Sequence, residues 1–407
     1  MIKDKLKVLL PSGKNWDEAL FCQTVLPFAS EQVINFINTL SQSILKKPEF
    51  RAYPELMAMG FWMRKSHIIK IVDDNLNNSV QEVRLARGII FHIAPSNVDS
   101  VFIYSWFLSM LAGNVNIIRL SSKSGKQIDL LLKLLNDLFK LSEFSDIASR
   151  QVLISYEYDD QITAYFSEHC DMRVIWGGDN TIKKIRQIPI PSTAIELPFA
   201  DKFSLSLIDA SEFVELHKDK KSKLIHSFIN DAFWFGQMAC SSPRLIAWMG
   251  ENDIIEKAKL SFWTEVNETL TNNIADISTA DIVNKLVASH RMAIEEKVSI
   301  IKSNNNLINR IQLTSCKGIN TSLHCGAGLF YEVSIFELDE LMTCVSSKIQ
   351  TVGYFGISKE HLKQFVERCL PIGIDRIVPI GKALEFSPIW DGYSLLKDFT
   401  RIVDIQN

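Results

Sequence analysis

Apolar positions along this chain fall into short continuous runs separated by segments of helical period. Arg87 to Ala94 (RGIIFHIA) is a near-continuous apolar run closed by Pro95-Ser96-Asn97, which predicts a buried strand with an abrupt exit. Val98 to Leu111 then predicts an apolar helix, Gly113-Asn114 a turn, and Asn116 to Leu120 a second buried strand leading into Ser121-Ser122-Lys123-Ser124-Gly125. An amphipathic helix follows over Ile128 to Phe139, then strands over Gln151 to Ser155 and Met172 to Trp176. The last of these runs into Gly177-Gly178-Asp179, with a helix over Thr181 to Arg186. Such strand–helix alternation reads as a parallel, doubly wound α/β sheet. Upstream, Trp16 to Arg64 predicts helix broken near Lys47-Pro48, and Phe399 to Ile405 alternates as an edge strand would.

One junction carries more chemistry than the rest. Leu224 to Phe235 has helical spacing, Leu245 to Met249 reads as a short buried strand, and Gly236-Gln237-Met238-Ala239-Cys240-Ser241-Ser242-Pro243-Arg244 joins them. An ordinary cysteine is a small core residue. Here Gly236 and Ser241-Ser242 leave room for a substrate, and a thiol between two packed elements can stay accessible as a nucleophile. Backbone N–H groups of such a turn could hold a developing oxyanion.

A chain of 407 residues exceeds one core and implies two or three domains. With 47% apolar residues and a mean hydropathy of +0.07 it reads as a soluble protein. The net charge of −3 gives no footprint for nucleic acid. Seven scattered cysteines without CxxC spacing argue for reduced thiols in the cytoplasm, against a disulfide framework and against a zinc site. Met1 to Lys7 is charged, which argues against a signal peptide, and no apolar run is long enough to span a bilayer.

In doubly wound sheets ligands bind beyond the carboxyl ends of the strands. Three such ends are polar or small: Pro95-Ser96-Asn97, Ser121-Ser122-Lys123 and Gly177-Gly178-Asp179. The last opens a helix, whose N–H groups could receive a pyrophosphate, although Gly-Gly is usually just a turn. Arg119 ends an apolar strand, where burial requires an anionic or polar partner.

Taken together, Arg87 to Asn97, Leu111-Ala112-Gly113-Asn114, Ile118 to Ser122, Phe235 to Arg244, Gly373 to Gly381, and Trp390-Asp391-Gly392-Tyr393 before Thr400-Arg401 resemble the long-chain acyl-CoA reductases of bacterial bioluminescence operons. That family is a branch of the aldehyde dehydrogenase superfamily. The resemblance runs from about Arg87 to the C-terminus and implies two Rossmann-like α/β domains with a small oligomerisation element. In this reading residues 1–85 are the helical start of the cofactor domain and 86–210 its nicotinamide-binding part. Residues 211–385 then form the catalytic domain, and 386–407 an oligomerisation and return segment, so a dimer is expected.

Carried over by position, Cys240 is the acyl-forming nucleophile and Asn97 the amide that holds the thioester oxygen. Pro95, Ser96, Arg119, Ser121, Ser122, Lys123, Gly177 and Gly178 line the cofactor. Ser122 stands where NAD-preferring members keep a glutamate, and Lys123 is adjacent, which favours NADPH and leaves NADH open. Ala194-Ile195-Glu196-Leu197 resembles the element that carries the superfamily's general base, making Glu196 a candidate, but Pro198-Phe199 replaces its glycine pair. The superfamily's Glu-x-Phe-Gly-Pro element is absent, and His324 lies near its place. The implied activity is reduction of acyl-CoA, or of an acyl-carrier thioester, to a fatty aldehyde, with an acyl-protein synthetase as a candidate donor. A cysteine-dependent acyltransferase or acyl carrier without hydride transfer is one alternative; a non-acylating NAD(P)-dependent aldehyde dehydrogenase is another.

Overall fold

The structure is a computed structural model that describes residues 5–75, 82–95, 102–121, 125–273, 278–295, 298–302, 306–317 and 319–406. The chain divides into two compact units, Met1–Ala200 with Phe386–Asn407, and Asp201–Glu385.

In the first unit, strands β1 (Lys7–Leu10), β3 (Ile89–Ile93), β4 (Val115–Leu120), β5 (Gln151–Ser155), β6 (Met172–Trp176) and β7 (Ile195–Phe199) form a six-stranded sheet in the order β1-β5-β4-β3-β6-β7. All pairings are parallel except that of the edge strand β1 with β5. Alternate residues enter two core layers. Ile90, Ile118 and Val174 face helices α1 (Glu31–Lys46), α2 (Pro54–Trp62), α3 (Lys65–Asn75), α4 (Phe102–Leu111) and α5 (Lys126–Phe139), while Phe91, Ile117 and Ile175 face α6 (Asp160–Glu168) and α7 (Asp179–Ile185). A sheet covered on both faces makes its strands read as unbroken apolar runs. The interruptions are satisfied in place: buried His92 on β3 meets Asn116 on β4 at 3.0 Å, and Asn116 donates to Gln151 on β5 at 3.0 Å.

The C-terminal segment belongs to this unit. Phe386 stacks on Tyr104 at 4.0 Å, and Thr400–Asp404 pairs antiparallel with β2 (Glu82–Ala86). The edge strand expected near Phe399 therefore finds its partner within its own chain. Arg87 anchors the junction by donating to the carbonyls of Asp398 (2.8 Å) and Thr400 (2.7 Å).

The second unit holds strands β8 (Phe203–Asp209), β9 (Pro243–Met249), β10 (Ser299–Lys302), β11 (Asn309–Gln312), β12 (Leu329–Ile335), β13 (Ile349–Phe355) and β14 (Arg376–Pro379), ordered β10-β11-β12-β9-β8-β13-β14. Only the β10–β11 pair is antiparallel. Helices α8 (Ala210–Glu215), α9 (Lys218–Phe233) and α10 (Asn252–Asn273) cover one face, and α11 (Thr279–Glu295) and α12 (Lys359–Cys369) the other. The expected boundary after residue 210 falls too late, because β8 pairs with β9 and β13 and the break lies at Ala200/Asp201. Two strands separated only by Ala200 to Lys202 read as one region in sequence.

Expecting every cysteine to be a free thiol is also corrected. Cys316 and Cys344 are joined in a disulfide, with Cα atoms 4.7 Å apart. Both residues enter the same core layer, a proximity that their 28-residue separation conceals.

Candidate active site

Cys240 sits half-buried in the turn between α9 and β9, at the amino end of β9. After α9 the chain reverses through Gly236 (φ +57°) and Gln237 (φ +64°). A non-glycine residue holds that conformation only under strong local restraint. Gln237 has it: its fully buried amide donates to the carbonyls of Pro243 (3.0 Å) and Leu329 (2.9 Å) and accepts from Gly328 N–H (2.9 Å). Ala327 N–H closes the contact by donating to the Gly236 carbonyl at 2.9 Å. Gly328 is required here (φ +87°), since a Cβ would lie 2.3 Å from the Leu307 carbonyl oxygen.

From the other side Ser204 Oγ, on β8, donates to the Cys240 carbonyl at 2.6 Å and accepts from Thr351 N–H at 3.1 Å. Arg244, on β9, reaches back to the carbonyls of Gln237 (Nε, 3.2 Å) and Met238 (Nη2, 3.4 Å). The backbone of the Cys240 turn is thus tied to β8, β9, β12 and the loop before β12. None of Gln237, Ser204 and Arg244 had an assigned role from the sequence. The signal available was polar residues set between apolar neighbours.

His324 is not a free ligand-facing residue. Its Nδ1 accepts from Gly326 N–H (3.1 Å) and its Nε2 donates to the Leu329 carbonyl (2.8 Å). Burial drives its pKa down to about 3, so the ring is neutral and both nitrogens are engaged. Glu196 is likewise occupied. Arg173 Nε reaches one oxygen at 2.8 Å and Arg186 Nε the other at 2.8 Å, the first across the β6–β7 register. A carboxylate held by two guanidiniums is a structural ion pair rather than a poised base.

In the first unit, Pro95, Ser121 and Gly177-Gly178 follow the carboxyl ends of β3, β4 and β6. Successive crossovers run one way from β3 to β5 and the other way from β6 to β7, so the reversal point lies between β3 and β6. Arg119 sits at the end of β4 over the Tyr156 ring (5.2 Å), and its Nη2 donates to the Tyr156 carbonyl at 3.4 Å. Its Nε is buried with no hydrogen-bond partner among the described residues. Gly177 N–H donates to the Phe199 carbonyl (3.2 Å), Thr181 packs against Gly177, and Gly178 caps α7. Ser96, Asn97, Ser122 and Lys123 lie outside the described residues. Among the described residues no group of His, Cys, Asp and Glu is arranged to hold a metal ion, and no helix is long and apolar enough to cross a membrane.

The sequence profile of the family described as "Acyl-CoA reductase (LuxC)" matches residues 31–402. The chain belongs to the LuxC acyl-CoA reductase family. The match takes in both units and every site residue named above. A long-chain acyl-protein thioester reductase of Aliivibrio fischeri is 25% identical to this LuxC-family chain over 168 residues, a segment covering 41% of the chain and 33% of that protein. Among solved structures, a NAD-dependent benzaldehyde dehydrogenase from Corynebacterium glutamicum superposes with a TM-score of 0.63 at 11% identity, covering 98% of this chain and 94% of that one. A glyceraldehyde-3-phosphate dehydrogenase from Methanocaldococcus jannaschii, solved with NADP, gives 0.62 at 13% identity, covering 92% and 86%. The fold of this LuxC-family protein is therefore that of the aldehyde dehydrogenases.

Proposed function

We propose that this protein reduces an acyl thioester to the aldehyde through an acyl-enzyme on Cys240. The observation that carries the reading is a half-buried thiol on a turn whose backbone is held from three strands and a loop, within a LuxC-family chain. The Cys240 thiolate attacks the thioester carbonyl, a new C–S bond forms, and CoA or a carrier thiol leaves, taking up a proton. A reduced nicotinamide, when bound, would supply a hydride to the carbonyl carbon of the enzyme thioester. The tetrahedral adduct on Cys240 then collapses by cleavage of its C–S bond, releasing the aldehyde and returning Cys240 as thiolate. By resemblance Asn97 would hold the carbonyl oxygen through both steps.

The first unit's strand ends fit such a cofactor. Arg119 offers a buried N–H without a partner among the described residues, at the carboxyl end of β4, one strand from the point where the sheet's connections reverse. Pro95, Ser96, Ser121, Ser122, Lys123, Gly177 and Gly178 would complete the binding loops. NADPH is preferred to NADH, because Ser122 supplies no carboxylate against a 2′-phosphate and Lys123 supplies a cation. An acyl-protein synthetase as donor and a homodimer complete the proposal. With Glu196 bound by two arginines, an enzyme that must resist hydrolysis of its acyl form fits better than a hydrolytic aldehyde dehydrogenase.

Replacing Cys240 by Ala decides the matter. Acyl-CoA-dependent NADPH oxidation, aldehyde release and covalent labelling by radioactive acyl-CoA are all expected to vanish. Aldehyde formation by Cys240→Ala overturns the mechanism; labelling of the parent without NADPH oxidation points instead to an acyltransferase.

A further inference from the structure

A thiolate must be made before it can attack, and neither proton acceptor that the sequence offers is available. Glu196 is bound by Arg173 and Arg186, and His324 has both nitrogens engaged. The cation built into the cysteine turn is Arg244. Its fork reaches back to the carbonyls of Gln237 and Met238, the residues that lead into Ala239-Cys240, and its centre stands 5.9 Å from the Phe203 ring. Burial lowers the pKa of this guanidinium, and the charges opposing that are Cys240 first, then Asp201, Cys325 and Tyr331. The thiol and the guanidinium therefore lie within each other's field.

We propose that Arg244 is the positioning residue of the site: its fork holds the turn while its charge keeps Cys240 as thiolate, so that attack requires no separate base. The inference rests on Cys240 being the acyl acceptor. A neighbouring cation favours a thiolate over a thiol. The other titratable groups around the pair do not replace Arg244. Tyr331 on β12 is raised by burial and stays a phenol, and His324 is neutral. Asp201, ahead of β8, is of the wrong sign. Cys325, in the loop before β12, is also within Arg244's field and feels Lys285 from α11, yet burial dominates and pushes that thiol up. Burial therefore keeps Cys325 a thiol, which leaves Cys240 as the sulfur that the proposal assigns to Arg244.

The test is the pH dependence of alkylation by iodoacetamide on the full chain, with Cys240 and Cys325 read separately by peptide mass mapping. In the parent, Cys240 is expected to titrate below the ordinary thiol value of about 8.5 and ahead of Cys325. Arg244→Gln should move the Cys240 midpoint up by about one pH unit, slowing alkylation near neutrality about tenfold. Arg244→Lys keeps the charge without the fork, so it should restore the midpoint while turnover remains lowered. A parent midpoint at or above about 8.5, an unchanged profile in Arg244→Gln, or an Arg244→Lys profile that matches Arg244→Gln each overturns the proposal. If Arg244→Gln loses its circular dichroism signature, the parent midpoint and Arg244→Lys still decide. Alkylation needs neither acyl donor nor cofactor, so failure here leaves the Cys240 assignment standing, whereas an active Cys240→Ala removes that assignment whatever these profiles show.

Discussion

The two sheets are built alike, each with parallel strands covered by helices on both faces, yet the residues proposed for the site lie at opposite strand ends. In the first unit they follow the carboxyl ends of β3, β4 and β6; in the second, Cys240 precedes the amino end of β9. A carboxyl end in such a sheet opens into loops whose N–H groups and side chains remain available to a ligand. Arg119, with a buried Nε that meets no partner among the described residues, is an example. At an amino end a helix has just finished, and a turn there can be stitched to neighbouring strands through their backbones. Gln237, Ser204 and Arg244 do this for Cys240. The first arrangement suits a cofactor that must come and go. The second suits a residue that must be held still, as the proposed acyl acceptor must be.

If that contrast is right, substitutions at the two ends should differ in kind. Gln237→Ala strands two buried carbonyls and one buried N–H, so urea unfolding should show a loss of about 3 kcal/mol, with acylation falling alongside. An effect of similar size is expected from pH in the core of the first unit. Burial lowers the pKa of His92 to about 4, and stability present above about 6.5 is lost as the pH falls toward 4. That amounts to about 3 kcal/mol between the two values, and His324 acts in the same direction. Urea midpoints across this range should fall in the parent and fall less in His92→Asn. Arg119→Met, at the carboxyl end, should raise KM for the nicotinamide about tenfold with an unchanged unfolding midpoint. A drop in stability with unchanged KM would erase the distinction between the two ends. Smallest in its effect on turnover, Glu196→Gln should leave the rate within about twofold while costing about 3 kcal/mol of stability, because it leaves the buried Arg173 guanidinium without its counter-charge. A collapse of turnover at unchanged stability would restore Glu196 as a base.

Elements walled in on both sides were the most legible. Gln151–Ser155 and Met172–Trp176 begin and end where the apolar runs do, because helices cover both faces and polar turns bound them. Solvent-facing starts were lost. α9 begins at Lys218, six residues before Leu224, because its lysine-rich opening carries no apolar stripe. Trp16 to Cys22 reads as helix but forms only a short 3-10 turn over Glu18–Cys22, and its apolar residues serve an aromatic cluster of Trp16, Phe21 and Tyr165 instead. Of the site, the cysteine and its turn could be read in advance. The idle state of Glu196 and His324 could not, since their partners Arg173 and Leu329 are set by strand register and loop closure.

What the sequence by itself determined is local: two-sided burial of the strands, the helices between them, and a thiol set in a small-residue turn. Periodicity records which faces of an element avoid water, and that is enough to imply a doubly wound parallel sheet. It holds no record of which distant residue lies opposite. Tertiary structure alone decided that β8 joins the second sheet, that Cys316 meets Cys344, that two arginines occupy Glu196, and that Arg244 reaches back to the turn carrying Cys240. Each depends on the free energy of a long-range contact, which the packing of whole layers brings within reach.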